Sequence, residues 1–377
     1  MINNIMESGV RSQESGVRSQ ESGVRSQESE VRSQDERTRA ICAYSGYFRE
    51  REKLLESSSG GAAIVLSEII IKQGGVVIGA CYSSDFRSAE FACIDRVENL
   101  SRLKGSKYVE TNKIIAPDKK LWPFIAEKLK TGQKVLFIGL GCDAAALKSF
   151  IRANNINDSN LYTIDLICYG PTLKEVHSQY IDSLTKKFNS RIKNFTVRYK
   201  KLGWTPMYIK ADFEDGRTFC AEFYKSDYGR AFGTFSREVC YSCKFRGVNH
   251  RSDITIGDYW GLTPEMDGYN PDGVSIFIVN SERGQDLINM IDTNNFALMP
   301  ADLDFIIEHN RMYYKTRSKP EDYKKFCDDL KSVGLHRAII NHEGGYMRFY
   351  AKKILNRAKK FIPSRVKKFI KRKILHK

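Results

Sequence analysis

Apolar and polar positions alternate with periods that change along the chain, and the changes mark out elements. The run Ala62 to Lys72 is apolar on most of its face and is followed by Gly74 and Gly75, which predicts a helix stopped by glycine. Val76 to Tyr82 then reads as a strand. Further on, an apolar run Lys134 to Gly139, a helical stretch Ala144 to Arg152 and a second apolar run Asn160 to Ile167 follow one another closely. Strand, crossover helix and strand at this spacing predict a parallel βαβ unit.

Gln179 to Phe188 reads as a helix, and Phe195 to Phe223 as strands turning at Gly203 and Gly216. Asp253 to Gly257 and Val274 to Val279 form a second strand-rich block, and Leu303 to His309 and Asp322 to Val333 are helical. The expected fold class is therefore α/β (mixed α+β): a parallel βαβ core, a second strand-rich block and C-terminal helices. The organisation that follows is a tail over 1–40, a main domain over 41–290, a helical extension over 291–345 and a basic amphipathic tail over 346–377.

The two tails break this pattern. Residues 7–34 are a seven-residue unit written four times, ESGVRSQ three times and then ESEVRSQ, each with a single valine as its large apolar group. Too little apolar surface is available there to offset the entropy of ordering, so the segment is expected to be disordered. At the other end, the 34 residues from Gly344 hold 13 Lys or Arg and no acid, leaving only +3 of the formal +16 to the rest of the chain. Ile362, Val366, Phe369, Ile370 and Ile374 recur there at helical spacing, a pattern suited to contact with an anionic membrane surface. A solvated or packed helix is the plain alternative. Nucleic acid is not an expected partner, because no recognition fold accompanies the charge.

The 377 residues are 41% hydrophobic, enough for a large core, and the most apolar region, Ala62 to Cys81, is interrupted by Glu68, Lys72 and Gln73. With neither a membrane-spanning stretch nor a signal-peptide pattern, the expected location is cytoplasmic, with the tail offering a peripheral contact. Nine cysteines in a reducing compartment read as packing, metal ligands or redox groups.

Cys240 and Cys243 form a CxxC pair, which supplies two of the four ligands that a closed site needs. Cys142 and Cys168 sit just past the carboxyl ends of the two βαβ strands, on the edge where open parallel sheets bind ligands. A zinc half-site, a redox dithiol and two incidental thiols remain alternatives for the pair. Packing is the expected role of Cys42, Cys81, Cys93, Cys220 and Cys327. Ser57, Ser58, Ser59, Gly60 and Gly61 precede a helix and suit either an anion or an ordinary helix cap. His177 and His250 are expected at the surface, and no Ser/His/Asp set is indicated.

Four segments together resemble the beta subunit of coenzyme F420 hydrogenase/dehydrogenase: Gly139 to Asp143, Asp165-Leu166-Ile167-Cys168-Tyr169-Gly170, Arg237 to Cys243, and Asp253 to Gly261. Residues 57–61, 105–108, Gly203-Trp204 and 273–275 extend the resemblance over roughly Ile41 to Asp286. Leu140, Gly141 and Asp143 depart from the family's Thr, Pro and Gln, and Tyr169 stands where the family has His.

The resemblance implies an iron-sulfur flavoprotein oxidoreductase. A 4Fe-4S cluster would be held by Cys142, Cys168, Cys240 and Cys243. FAD would lie near Ser57, Ser58, Ser59, Gly60, Gly61, Lys107, Asp258 and Trp260. Asp258 as a turn residue and Trp260 as core filling are the alternatives. Many relatives begin with a ferredoxin-like domain, whereas only Cys42 precedes residue 81 here. A separate ferredoxin-like electron carrier is accordingly the expected partner. The substrate would be an unidentified small molecule or glycan precursor, since family members occur in surface-polysaccharide pathways. A non-catalytic metal-binding or scaffold protein of such a pathway is the rival reading.

Overall fold

The computed structural model describes residues 38–115 and 118–345, so the heptapeptide repeat and the basic tail lie outside the described residues. In chain order the elements begin with β1 (Cys42–Phe48), α1 (Arg51–Glu56), α2 (Ala62–Lys72), β2 (Val76–Tyr82), β3 (Ala89–Ile94), β4 (Thr111–Ile115) and β5 (Lys119–Lys120). Next come α3 (Leu121–Lys130), β6 (Val135–Leu140), α4 (Gly141–Ala153), β7 (Leu161–Leu166) and α5 (Lys174–Phe188). They are followed by β8 (Ile192–Thr196), β9 (Tyr208–Phe213), β10 (Thr218–Glu222) and α6 (Asp227–Thr234). The chain then forms β11 (Ile254–Asp258), β12 (Ser275–Val279), α7 (Glu282–Asn289) and β13 (Phe296–Pro300). Three helices complete it: α8 (Leu303–His309), α9 (Tyr323–Ser332) and α10 (Leu335–His342).

Among the described residues, ten strands form one mixed sheet in the order β13-β1-β12-β11-β7-β6-β2-β3-β4-β5. Its centre, β11-β7-β6-β2, is parallel, with Val135 opposite Leu161 and Ile254 opposite Ile164. Val135, Leu136 and Phe137 are wholly buried, as a strand covered on both faces must be. One face packs Val77, Leu136, Ile164 and Phe277 against α2 and α7, and the other packs Ile78, Val135 and Phe137 against α3 and α4. The sheet is therefore the middle layer of three.

The βαβ unit forms as its periodicity predicts, with one shift. Helix α4 starts at Gly141 instead of Ala144, because the Asp143 carboxylate accepts the Leu140 N–H at 3.3 Å and closes the first turn. Ala144, Leu147 and Ile151 then face the core.

Between β7 and β11 the chain leaves the sheet and builds a second unit. The antiparallel β10-β9-β8 sheet packs with α5 and α6 around Phe213, Phe223, Tyr228 and Phe235. The segment 291–345, read from sequence as one extension, is shared between the units. β13 pairs with β1 and α8 covers the large sheet, while Phe326, Leu330 and Ile339 of α9 and α10 enter the second core.

Candidate functional site

The carboxyl ends of β6 and β7 face the loop that returns from the second unit, residues 236–253, and a cavity of about 250 Å³ lies between them. Cys142 belongs to the first turn of α4, Cys168 lies two residues beyond β7, and Cys240 and Cys243 come from the returning loop; all four line the cavity. Gly170 lets these segments approach. Its φ is +95°, and a Cβ there would fall 2.7 Å from Ser236 Oγ and 3.4 Å from Cys240 Cβ. Its N–H donates to Cys168 Sγ at 3.3 Å.

Burial dominates the thiols. It pushes Cys142 up to about 12, helped by Asp143, and Cys168 up to about 11. Around them the wall is cationic: Arg237, Lys244 and Arg246 all line the cavity. Arg246 is buried, donates to the Met312 carbonyl and draws the Cys168 thiol back down, while Arg237 does the same for Cys240. Arg237 also pairs with Glu110 at 3.2 Å.

Four thiols around one cavity are a donor set chemically suited to a thiolate-bound metal group. Tetrahedral zinc bonds of about 2.3 Å would draw four thiolates to within roughly 4 Å of one another. Among the described residues no three His, Cys, Asp or Glu side chains converge closely enough to hold one ion. Four thiols spaced around a cavity leave room for a larger body, and the arginines offset the negative charge of four thiolates.

The flavin-side residues are also brought together, but largely satisfied by one another. Arg198, 3% exposed, grips Asp258 with two hydrogen bonds of 2.7 and 3.0 Å and donates a third to the Ser58 carbonyl at 2.6 Å. Burial opposes the Arg198 charge, and Asp258 and Tyr108 together outweigh it, so the pKa is raised. Lys200, also buried, donates to the carbonyls of Ser59 and Asp272, and burial brings it down to about 7.

The Ser57 hydroxyl donates to Lys53 O and the Ser59 hydroxyl to Val274 O, whereas that of Ser58 accepts from Ser106. None of the three caps α2. Its N-cap is Gly61 at φ +105°, and the Ala62 N–H reaches Ser275 Oγ at 3.4 Å. Gly60 and Gly61 are buried, with Phe48 against Gly61. Lys107 is held by three carbonyls, those of Leu103, Lys104 and Gly105, and burial lowers it to about 8. Trp260 stacks on Trp204 with centroids 5.1 Å apart. The side chains of Ser57, Ser59 and Lys107 thus brace the fold, each donating to backbone carbonyls.

Both histidines expected at the surface are inside. His177 is fully buried on α5, where its Nε2 donates to Phe86 O at 2.7 Å and its ring stacks on Tyr82. The His250 side chain is 5% exposed; it meets Asp165 at 2.8 Å, stacks on Tyr313 and lines the cysteine cavity. Cys220 is exposed on β10, so packing is not its role. Cys42 does pack, its thiol donating to Gln285 at 2.9 Å. Arg198, Lys200, Arg246 and Asp165 escape sequence reading because their partners lie 60 or more residues away. Among the described residues, no helix is long and apolar enough to cross a membrane.

Comparison with known proteins finds a matching family model and a similar fold. Residues 132–303 match the family described as the carboxy-terminal part of the coenzyme F420 hydrogenase/dehydrogenase beta chain. No curated protein matches the sequence. Among solved structures, a chain of the F420-reducing nickel-iron hydrogenase complex from Methanosarcina barkeri is similar in fold, with 17% identity and a TM-score of 0.51. The alignment covers 80% of this chain and 96% of that one.

Proposed function

We propose, from the match of residues 132–303 to the coenzyme F420 hydrogenase/dehydrogenase beta-subunit family, that the chain is an electron-transferring oxidoreductase of that kind in which Cys142, Cys168, Cys240 and Cys243 hold a 4Fe-4S cluster. The observation that carries this reading is the meeting of four thiols, from three separate stretches of chain, in one cavity with a cationic wall. Such a cluster supplies one-electron transfer when bound.

The protein's part is positional and electrostatic. The first turn of α4 presents Cys142 at the positive end of a helix, which favours its thiolate. The Gly170 N–H and Arg246 stabilise negative charge on Cys168. Ligation must release protons from thiols that burial holds neutral, so loading is favoured at alkaline pH.

FAD belongs to the same proposal, bordering Ser58, Gly60, Gly61, Asp258 and Trp260, with Ser57, Ser59 and Lys107 as struts. It would pair single electrons with a hydride when bound. The finer proposals are a separate ferredoxin-like protein as electron partner and a small molecule or glycan precursor as substrate.

Anaerobic purification with iron, sulfide, zinc and flavin quantified tests the reading. Replacing any of the four cysteines with Ala should remove most cluster absorbance, and Cys327→Ala should leave it. A full cluster in all four single variants would rule out this ligand set. Zinc without flavin would favour the scaffold.

A further inference from the structure

The large apolar side chains that the two cores leave uncovered are not spread evenly. Ten are exposed among the described residues, and four of them, Leu166, Tyr169, Val239 and Phe245, stand within two residues of a cysteine of the site. Val239, at 61%, is the most exposed of the ten. Leu166, Val239 and Phe245 line the same cavity, so they share one mouth. Tyr169 lies outside the cavity lining, packed on Phe232 with centroids 5.3 Å apart and with the Arg317 guanidinium 4.4 Å from its ring. Single exposed apolar residues need no explanation, whereas several on one face mark a surface that meets a partner.

The charge around this face is an independent observation. Its acids are already matched: Glu110 pairs with Arg237, Asp143 with Lys113, Asp165 with His250 and Glu238 with Lys319. Cations are left over. Lys244 is exposed and lines the cavity, and the exposed Arg311 and Lys315 lie one and three residues from Met312, which also lines it. The segment that carries them is fastened to the cysteine loop, since Arg246 donates to the Met312 carbonyl and His250 stacks on Tyr313. None of Lys244, Arg311 and Lys315 forms an ion pair among the described residues.

We propose that the mouth of the cysteine cavity is a docking surface for an acidic electron-carrier protein. The inference rests on the electron-transfer reading and gives it a place of contact. Leu166, Tyr169, Val239 and Phe245 supply the apolar centre from which water is expelled, and Lys244, Arg311 and Lys315 supply a cationic rim that selects an acidic surface and speeds its approach. A carrier seated there brings its own redox centre beside the four thiols.

The test is binding of a small acidic 2Fe-2S ferredoxin to the full-length protein, with basic cytochrome c as the opposite-charge control, from about 50 to about 300 mM salt. Saturable ferredoxin binding that weakens with salt is expected, and none by cytochrome c. Lys244→Glu, Arg311→Glu and Lys315→Glu together should weaken it at least tenfold and flatten its salt dependence. Val239→Ser should weaken it at least threefold and leave the salt dependence unchanged. Lys72→Glu, Lys130→Glu and Lys331→Glu together make the same change in net charge elsewhere and should leave binding as it is. Iron and sulfide are measured in every preparation. Arg311→Glu with Lys315→Glu, far in sequence from all four cysteines, repeats the test without touching the ligand loop. Selective binding by protein that holds no iron sinks the cluster reading and leaves the surface standing. Iron without ferredoxin binding, or equal weakening by the two charge sets, overturns the docking surface. So does loss of anionic-vesicle binding or of self-association, in place of ferredoxin binding, in the Lys244, Arg311 and Lys315 variants.

Discussion

Acidification should destabilise this protein through His177 before most carboxylates titrate. The ring is buried between Tyr82, Phe195 and Tyr228, its Nε2 proton is committed to Phe86 O, and Nδ1 has no hydrogen-bond partner. Burial therefore disfavours the imidazolium and brings the group from 6.5 down to about 4, with the Phe86 carbonyl and Asp85 opposing weakly. The unfolded chain takes up a proton as pH falls below 6.5, while the folded chain does not do so until about 4. Stability is then complete above the unfolded value and is lost as pH falls through this window. At roughly 1.4 kcal/mol per unit, the loss is about 1 kcal/mol at pH ~6, about 2 at pH ~5 and about 3 once pH reaches ~4. Urea unfolding of the parent and of His177→Gln across this range measures it. The variant carries a constant packing cost, but the difference between the two curves should shrink by about 2 kcal/mol from pH ~7 to pH ~5. Parallel curves would refute the argument.

Two further outcomes follow from the structure and the sequence. Asp258→Asn leaves the buried Arg198 guanidinium without its carboxylate and should cost about 3 kcal/mol in urea unfolding. It should also speed amide exchange in the 57–61 loop, whose Ser58 carbonyl Arg198 holds; unchanged exchange there would separate the pair from the loop. Deleting residues 1–35 should leave solubility and cofactor content unchanged, because the repeat cannot build a core; loss of soluble protein would show the opposite.

Local periodicity made the centre of the fold legible. The strand around Val135 is a continuous apolar run, that around Leu161 is apolar apart from Thr163 and Asp165, and the stripe Ala144, Leu147, Ile151 lies between them, so the βαβ unit and the edge carrying Cys142 and Cys168 could be read directly. β1 could not. Cys42–Phe48 alternates only weakly, and the partners that bury it, β12 and β13, lie more than 220 residues away. The same limit explains the histidines. His250 stands among Asn249, Arg251 and Ser252, which is the local signature of surface, yet Asp165 and Tyr313 bury it from 85 and 63 residues off. The serine loop shows the same limit. Its composition suits an anion, but Lys53 and Val274 carbonyls take the hydroxyls of Ser57 and Ser59, and nothing near residues 57–61 in sequence announces that. Cys240 and Cys243 were legible because their spacing is itself the signal.

The second unit leaves the large sheet just after Cys168 and returns through the loop that carries Cys240 and Cys243. The four thiols therefore come from both sides of one junction: Cys142 and Cys168 belong to the sheet's edge, and Cys240 and Cys243 to the chain coming back from the other core. The spacing that a shared ligand would require is thus set by how the two cores are joined, and not by either of them alone.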